Sequence, residues 1–279
     1  MTAIPLPEHI PTPCFVLDVA RLRTNLETAR RVREAAGCKV LLATKAFAMP
    51  AVFPMMRDYL DGTTASGEHE AIMGHEEFGK EVHVYSPAYT EDEVRRLTKV
   101  AQHIYFNSAE QLVRFGAIAR DAGCKVGLRV NPGYSNAGGG HFLNKPGYDV
   151  DALIAAIKAF RAKFDVEVVL EPGAGLVVNT GELYATVLAL HKNELDLAIL
   201  DASASTHMPD VLEVPYRPDI IGAGEAGELA HTYRLGGKTC MTGDVIGDYS
   251  FPEPLAPGQQ LIFTDQMHYS FVKTNTFNG

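Results

Sequence analysis

A chain of 279 residues, 46% hydrophobic and 21% charged, has ordinary globular composition and enough apolar residues for a sizeable core in one or two domains. A formal net charge of −9 with no cluster of Lys and Arg argues against a nucleic-acid surface, and the acidity suits a cationic small molecule. No run reaches the ~18 apolar residues of a membrane span, the proline-rich start lacks a secretory apolar core, and Cys14, Cys38, Cys124 and Cys240 form no CxxC pair, so a cytoplasmic protein without disulfides is expected.

From Cys14 to Asn131 short β-branched runs alternate with helical stretches. CFVLD (14–18) predicts a strand ahead of a charged helix, and KVLLATKA (39–46) a strand ahead of a helix opening near Pro50. TTAS (63–66), VHVYSP (82–87), HIYFN (103–107) and KVGLRVN (125–131) continue the series. Thr90 and Ser108 stand where helix N-caps are wanted, with acidic residues close behind. Such spacing implies parallel βαβ units, as a doubly wound sheet or a (β/α)8 TIM barrel.

NPGYSNAGGGH breaks the rhythm, with a strand expected around 137–141, a helix from Asp149 to about Lys163 and a strand over 166–173. GLVVNT, ELYATVLALHK, LDLAILDAS, YRLGG, QQLIFTD and YSFVKTNTF then predict an antiparallel β-domain. The domains are therefore drawn as a barrel over 19–173 and a β-domain over 1–18 and 174–279. Counted from Lys39, the barrel runs fall one short of the eight a closed barrel needs. One βα unit is expected to be missing between Asn136 and Ala137, through omission of a segment, because an open barrel would expose strand edges and apolar core.

Several residues sit at the C-terminal ends of predicted strands, where barrel enzymes place their chemistry. Lys45 ends an apolar strand, flanked by Leu42, Ala43, Ala46 and Phe47, and is expected to point into the barrel, where desolvation would free its amine for reaction with a carbonyl. Gly138, Gly139 and Gly140, before His141, allow close approach of backbone N–H groups to a phosphate, or simply a turn, and do not match a dinucleotide fingerprint. Glu171 in LEPG could face a pyridine nitrogen, or belong to a turn. Cys240 lies in a glycine-rich loop four residues before Asp244 and could donate a proton or be inert. Tyr269 could donate to a phosphate or pack as an aromatic, and His207 and Asp210 are polar groups expected in a loop. Ten histidines without HxxxH or HxH spacing give no expected metal site.

Taken in order, LLATKAFA, GGGH, LEPG, LDASASTHMPDVLEVPYRP, GGKTCMTGDVIGDYSF and HYSFVKTNTFNG resemble the fold-type III pyridoxal-phosphate (PLP) decarboxylases. That group includes ornithine, arginine and diaminopimelate decarboxylases, and HMPDVLEVPYRP and TCMTGDVIGDYSF are most similar to its carboxynorspermidine (carboxyspermidine) branch. The resemblance implies an alanine-racemase-like barrel with a C-terminal β-domain, and a cytoplasmic homodimer with shared active sites in polyamine biosynthesis. It implies that Lys45 bonds the pyridoxal 5'-phosphate, that Gly138, Gly139, Gly140, Gly173 and Tyr269 hold it, and that Glu171 faces the ring nitrogen. It further implies that Cys240 donates the proton after CO2 loss, with Asp244, Asp210 and His207 near a cationic substrate.

The family's ring-stacking histidine falls in the missing unit, and Ala174 replaces the family's Arg or acidic residue after Glu-Pro-Gly. The chain also stops where the family continues. The alternatives are a diaminopimelate, arginine or ornithine-type decarboxylase, or a non-catalytic PLP-binding regulatory relative. A racemase is disfavoured because no motif supplies a second base.

Overall fold

A computed structural model describes residues 10–130 and 142–278. The chain divides into two compact units, Arg23–Leu176 and the pair of segments Met1–Leu22 and Val177–Gly279.

After β1 (Cys14–Leu17) and the helix Val19–Ala36, the first unit is a parallel sheet of β2 (Lys39–Ala43), β3 (Gly62–Ala65), β4 (Glu81–Tyr85), β5 (His103–Phe106), β6 (Lys125–Leu128) and β7 (Val169–Leu170). Its order is β6-β5-β4-β3-β2-β7, each neighbour parallel. Helices intervene because local chemistry starts them. Thr90 accepts the Glu93 N–H at 3.2 Å while Glu93 reaches back to the Thr90 N–H at 2.7 Å, a reciprocal cap. Ser108 accepts from the Gln111 N–H at 3.3 Å, and Asp149 from the Ala152 N–H at 2.8 Å.

Alternation along the strands sorts the side chains. Val82, Val84, Ile104 and Phe106 turn outward and are buried with Val94, Leu97, Phe115 and Ala119 of the covering helices. Glu81, His83, Tyr85, His103 and Tyr105 occupy the alternate positions and turn toward the other face. Truncating a buried aromatic such as Phe106 is worth about 3–5 kcal/mol. Among the described residues the sheet does not close: β6 and β7 are its edges, and the apolar Leu128, which ends β6, and Val130, just after it, are 42% and 76% exposed. The run expected around 137–141 lies outside the described residues.

In the second unit β1 and β12 (Gln260–Phe263) flank the first half of β8 (Gly181–Asn193), whose second half pairs with β9 (Leu195–Leu200). β10 (His231–Gly237) and β11 (Val245–Phe251) complete the sheet. Pairing is antiparallel except between β9 and β10, which run parallel, so the sheet is mixed rather than purely antiparallel. Leu183, Ala185, Val187, Leu200, Leu235, Tyr249 and Phe263 form its core. Two runs expected as strands are helical turns, Ala174–Val177 and Tyr269–Val272. Conversely VIGDYSF, within a stretch read as a glycine-rich loop, is β11. Among the described residues no helix is long and apolar enough to cross a membrane.

Candidate active site

In the parallel-sheet unit, the turn that carries Lys45 is pinned on both sides. The Ala43 N–H donates to the Pro172 carbonyl at 2.9 Å, and the Thr44 N–H and hydroxyl both donate to the Thr64 carbonyl at 3.1 Å. Thr44, Ala46 and Phe47 are buried, which fixes the backbone and sends Lys45 out at the C-terminal end of β2. Lys45 is exposed, contrary to its expected desolvation, because the chain leaves the strand after Ala43 and turns over the open end of the sheet. No hydrogen bond or ion pair among the described residues engages its ammonium group.

Glu171 follows β7, the strand paired with β2. The residue is open to solvent, yet enough protein surrounds its carboxyl that desolvation raises its pKa, while a hydrogen bond from Thr64 and the Lys45 charge pull the other way. Gly173 permits the close approach of the two strand ends: a Cβ there would stand 2.5 Å from the Ala46 Cβ. Beside β7 a cavity of about 380 Å³ is lined by Leu143, Tyr148, Leu153, Val169, Glu171 and Pro172. Gly138, Gly139 and Gly140 lie outside the described residues.

Below this end sits a polar cluster that sequence reading missed. The His83 and His103 rings stack with centroids 3.9 Å apart and planes at 18°, and the Tyr105 hydroxyl is 3.3 Å from Nδ1 of each. Burial, then the neighbouring His103, pushes the His83 pKa down to about 4, and burial lowers that of His103. Glu81 lies 3.3 Å from His83 and is held by Lys39 at 2.7 Å. Glu81, His83 and His103 bring three potential metal donors within 4.8 Å. Stacked rings, however, aim their in-plane lone pairs nearly parallel rather than at one point, and Lys39 already occupies the carboxylate. The signal was available, as polar residues at every second position of β4 and β5.

Cys240, Asp244, His207, Asp210 and Tyr269 all belong to the sheet unit. Asp244, in the β10–β11 loop, is buried, and both its oxygens serve its own fold: Oδ1 accepts the Ser205 N–H at 3.2 Å and Oδ2 accepts the Thr239 hydroxyl. Each oxygen thus already holds one partner within the fold. Gly237 is required beside it, since a Cβ there would stand 2.3 Å from Asp244 Oδ2 and from the Ser203 Cβ. His207 and Asp210 sit in helical turns rather than a loop. Nδ1 of His207 accepts the Ser203 N–H at 3.1 Å, and burial lowers the ring's pKa. Oδ2 of Asp210 accepts from Tyr216 at 2.8 Å and Ser270 at 3.2 Å, while its Oδ1 is buried without a partner. Tyr269 adjoins Ser270 on the helical turn Tyr269–Val272 and is half-buried. Cys240 is exposed, its thiol 2.9 Å from Oδ1 of Asn278, another residue the sequence reading left unassigned.

Comparison with known proteins places these residues in a family. Residues 14–266 match the model described as pyridoxal-dependent decarboxylase, C-terminal sheet domain. A carboxyaminopropylagmatine decarboxylase of Synechocystis is 36% identical over 340 residues, covering 97% of this chain and 88% of that protein. A carboxynorspermidine/carboxyspermidine decarboxylase of Campylobacter jejuni is 33% identical over 351 residues, covering 98% and 91%. The crystal structure of carboxynorspermidine decarboxylase from that organism, complexed with norspermidine, is 33% identical, with a TM-score of 0.88 over 97% of this chain and 92% of that one. Both alignments are longer than the 279 residues of this chain, so the relatives carry residues that it lacks. The chain belongs to the pyridoxal-dependent decarboxylases, with a TIM-barrel-like parallel sheet and a second, mixed sheet.

Proposed function

We propose that this chain removes the carboxyl group of a carboxylated polyamine, carboxynorspermidine or carboxyspermidine, releasing norspermidine or spermidine. The observation that carries the reading is the similarity to the Campylobacter enzyme, whose structure holds norspermidine. The net charge of −9 and the unpartnered buried oxygen of Asp210 favour a ligand with several ammonium groups. A homodimer in the cytoplasm accords with this reading.

The residues at the parallel sheet's open end fit PLP: Lys45 offers its aldehyde a primary amine that no hydrogen bond among the described residues engages, and Glu171 offers a carboxyl to its pyridine nitrogen. Bound there, PLP supplies an electron sink for the bond that breaks. Lys45 would hold the cofactor until the substrate amine takes its place, and the Glu171 carboxyl would keep the ring nitrogen protonated. Gly138, Gly139 and Gly140, with Gly173 and Tyr269, would receive the phosphate. The C–C bond to the carboxylate breaks, CO2 leaves, and one proton arrives at the carbon in its place; the Cys240 thiol would deliver that proton and recover it from solvent. Asp210 and His207 would lie toward the substrate's distal amines.

The Synechocystis relative favours a second reading, in which the substrate carries a guanidino group at one end. Release of CO2 from carboxynorspermidine, carboxyspermidine, carboxyaminopropylagmatine and diaminopimelate separates the readings. Turnover of a carboxylated triamine supports the first, preference for the agmatine derivative the second, and turnover of diaminopimelate alone overturns both.

The residues present in the relatives and lacking here fit the seam between β6 and β7, at the sequence junction of Asn136 and Ala137. The exposed Leu128 and Val130 beside that edge support the assignment. Inserting the corresponding βα unit of a relative at that junction should raise the unfolding midpoint, and an unchanged or lower midpoint would place the gap elsewhere.

A further inference from the structure

We infer that Asn278 is a positioning residue for the Cys240 thiol, holding its proton on sulfur and ready to be donated. The inference rests on the reading of Cys240 as proton donor and adds the group that keeps it in the donor state.

The geometry sets Asn278 as the acceptor. Oδ1 of Asn278 lies 3.3 Å from the backbone N of Cys240 and 2.9 Å from its Sγ. A backbone N–H only donates, so the atom facing it must be the amide oxygen, which only accepts. The same oxygen also faces the sulfur, and two acceptors do not attract one another. A hydrogen on the sulfur, directed at Asn278, makes the contact favourable.

Asn278 is delivered to this position by its own neighbours. Asn275 donates its N–H to the Thr206 carbonyl at 3.1 Å and its side-chain amide to the Ser205 carbonyl at 2.8 Å. The Thr206 hydroxyl donates to the Phe277 carbonyl at 2.6 Å. Ser205 in turn donates its N–H to Asp244 at 3.2 Å, and Asp244 closes the loop that carries Cys240. One turn, Ser203 to His207, thus holds both the thiol's loop and the segment that meets it. Asn278 has φ = 49°, a left-handed conformation that Asn tolerates better than most residues, so backbone geometry alone could also select Asn.

Three forms of the purified protein separate these roles. The probe is iodoacetamide at one fixed pH, and the readout is the rate of alkylation at Cys240 by peptide mass spectrometry. The thiolate is the reacting species, so a thiol whose hydrogen is held reacts slowly. Asn278→Gly keeps the left-handed backbone and removes the acceptor; the expected result is a rate increase of roughly three- to tenfold, the worth of one hydrogen bond. Asn278→Asp keeps both the conformation and an acceptor oxygen and adds a charge that disfavours the thiolate, so it should react no faster than the unsubstituted protein. A glycine variant that reacts no faster would show that Asn278 serves only the backbone and would overturn the inference, as would an aspartate variant as fast as the glycine one. The alkylation rate needs neither cofactor nor turnover, so it decides this point even if the decarboxylase reading fails. If that reading holds, Asn278→Gly lowers kcat and leaves KM unchanged.

Discussion

A Cβ on Gly173 would stand 2.5 Å from the Cβ of Ala46 and 3.2 Å from that of Ala43, so the end of β7 lies directly against the turn that carries Lys45. The contact brings the Glu171 carboxyl into the field of the Lys45 ammonium. Gly173→Ala must push the two strand ends apart. The expected cost is about 1–3 kcal/mol of stability, the usual penalty for overpacking, read as a lower urea midpoint. Cofactor retention on dialysis should fall with it, whereas an unchanged midpoint would show that the strand ends separate freely.

Burial of the stacked histidines makes the parallel-sheet unit sensitive to acid. The His83 pKa is pushed from 6.5 in the unfolded chain down to about 4, so the unfolded state takes up a proton first as pH falls. Stability from this group is complete above pH 6.5, declines as pH falls below it, and levels off below about 4, where the folded ring also protonates. The loss is on the order of 3 kcal/mol across that interval. His83→Gln should therefore flatten the fall in urea midpoint between pH 7 and pH 4, and an equally steep fall in the variant would place the acid sensitivity elsewhere.

Lys39 joins two carboxylates, lying 2.7 Å from Glu81 and 3.2 Å from Glu167. These groups are partly open to water, so Lys39→Met should cost only about 1 kcal/mol at neutral pH. The Glu81 hydrogen bond raises the Lys39 pKa above 10.5, and Lys39 holds that of Glu81 below 4.5 against its desolvation. The pair therefore contributes between these limits and is lost outside them, as the carboxylate gains a proton or the ammonium loses one. Urea midpoints of the two proteins should differ at pH 7 and draw together as pH falls below 4.5; a constant offset would mean that the packing of the aliphatic stem, not the charge, is what matters.

The parallel sheet was legible because its signals are local. Thr90 and Ser108 start their helices as their side chains predict, and the β-branched runs before them form β4 and β5. Misreadings arose where tertiary context decides. GLVVNT has strand composition, yet its first residues follow Glu-Pro-Gly into a helical turn, and the glycine beside Asp248 masked the strand β11, where Arg234 and Asp248 pair across β10 and β11 at 2.7 Å and 2.8 Å. Lys45 was placed correctly at a strand's end but misjudged in burial, since apolar sequence neighbours do not reveal which way a turn opens. The family resemblance implies a substrate contact for Asp244, whereas its partners within the unit, Ser205 and Thr239, reach it only through the fold. No sequence pattern connects Asn278 with Cys240, because 38 residues and a strand pairing separate them.

Lys45 is the residue proposed to carry the cofactor of a decarboxylase. The most direct test of that role is an absorption spectrum of the purified protein with added pyridoxal 5'-phosphate, recorded before and after borohydride reduction, followed by mapping of the reduced peptide. A visible band that borohydride bleaches, a label on the peptide containing Lys45, and loss of both in Lys45→Ala are the expected results. A label on another lysine, or no band at saturating cofactor, would contradict that role.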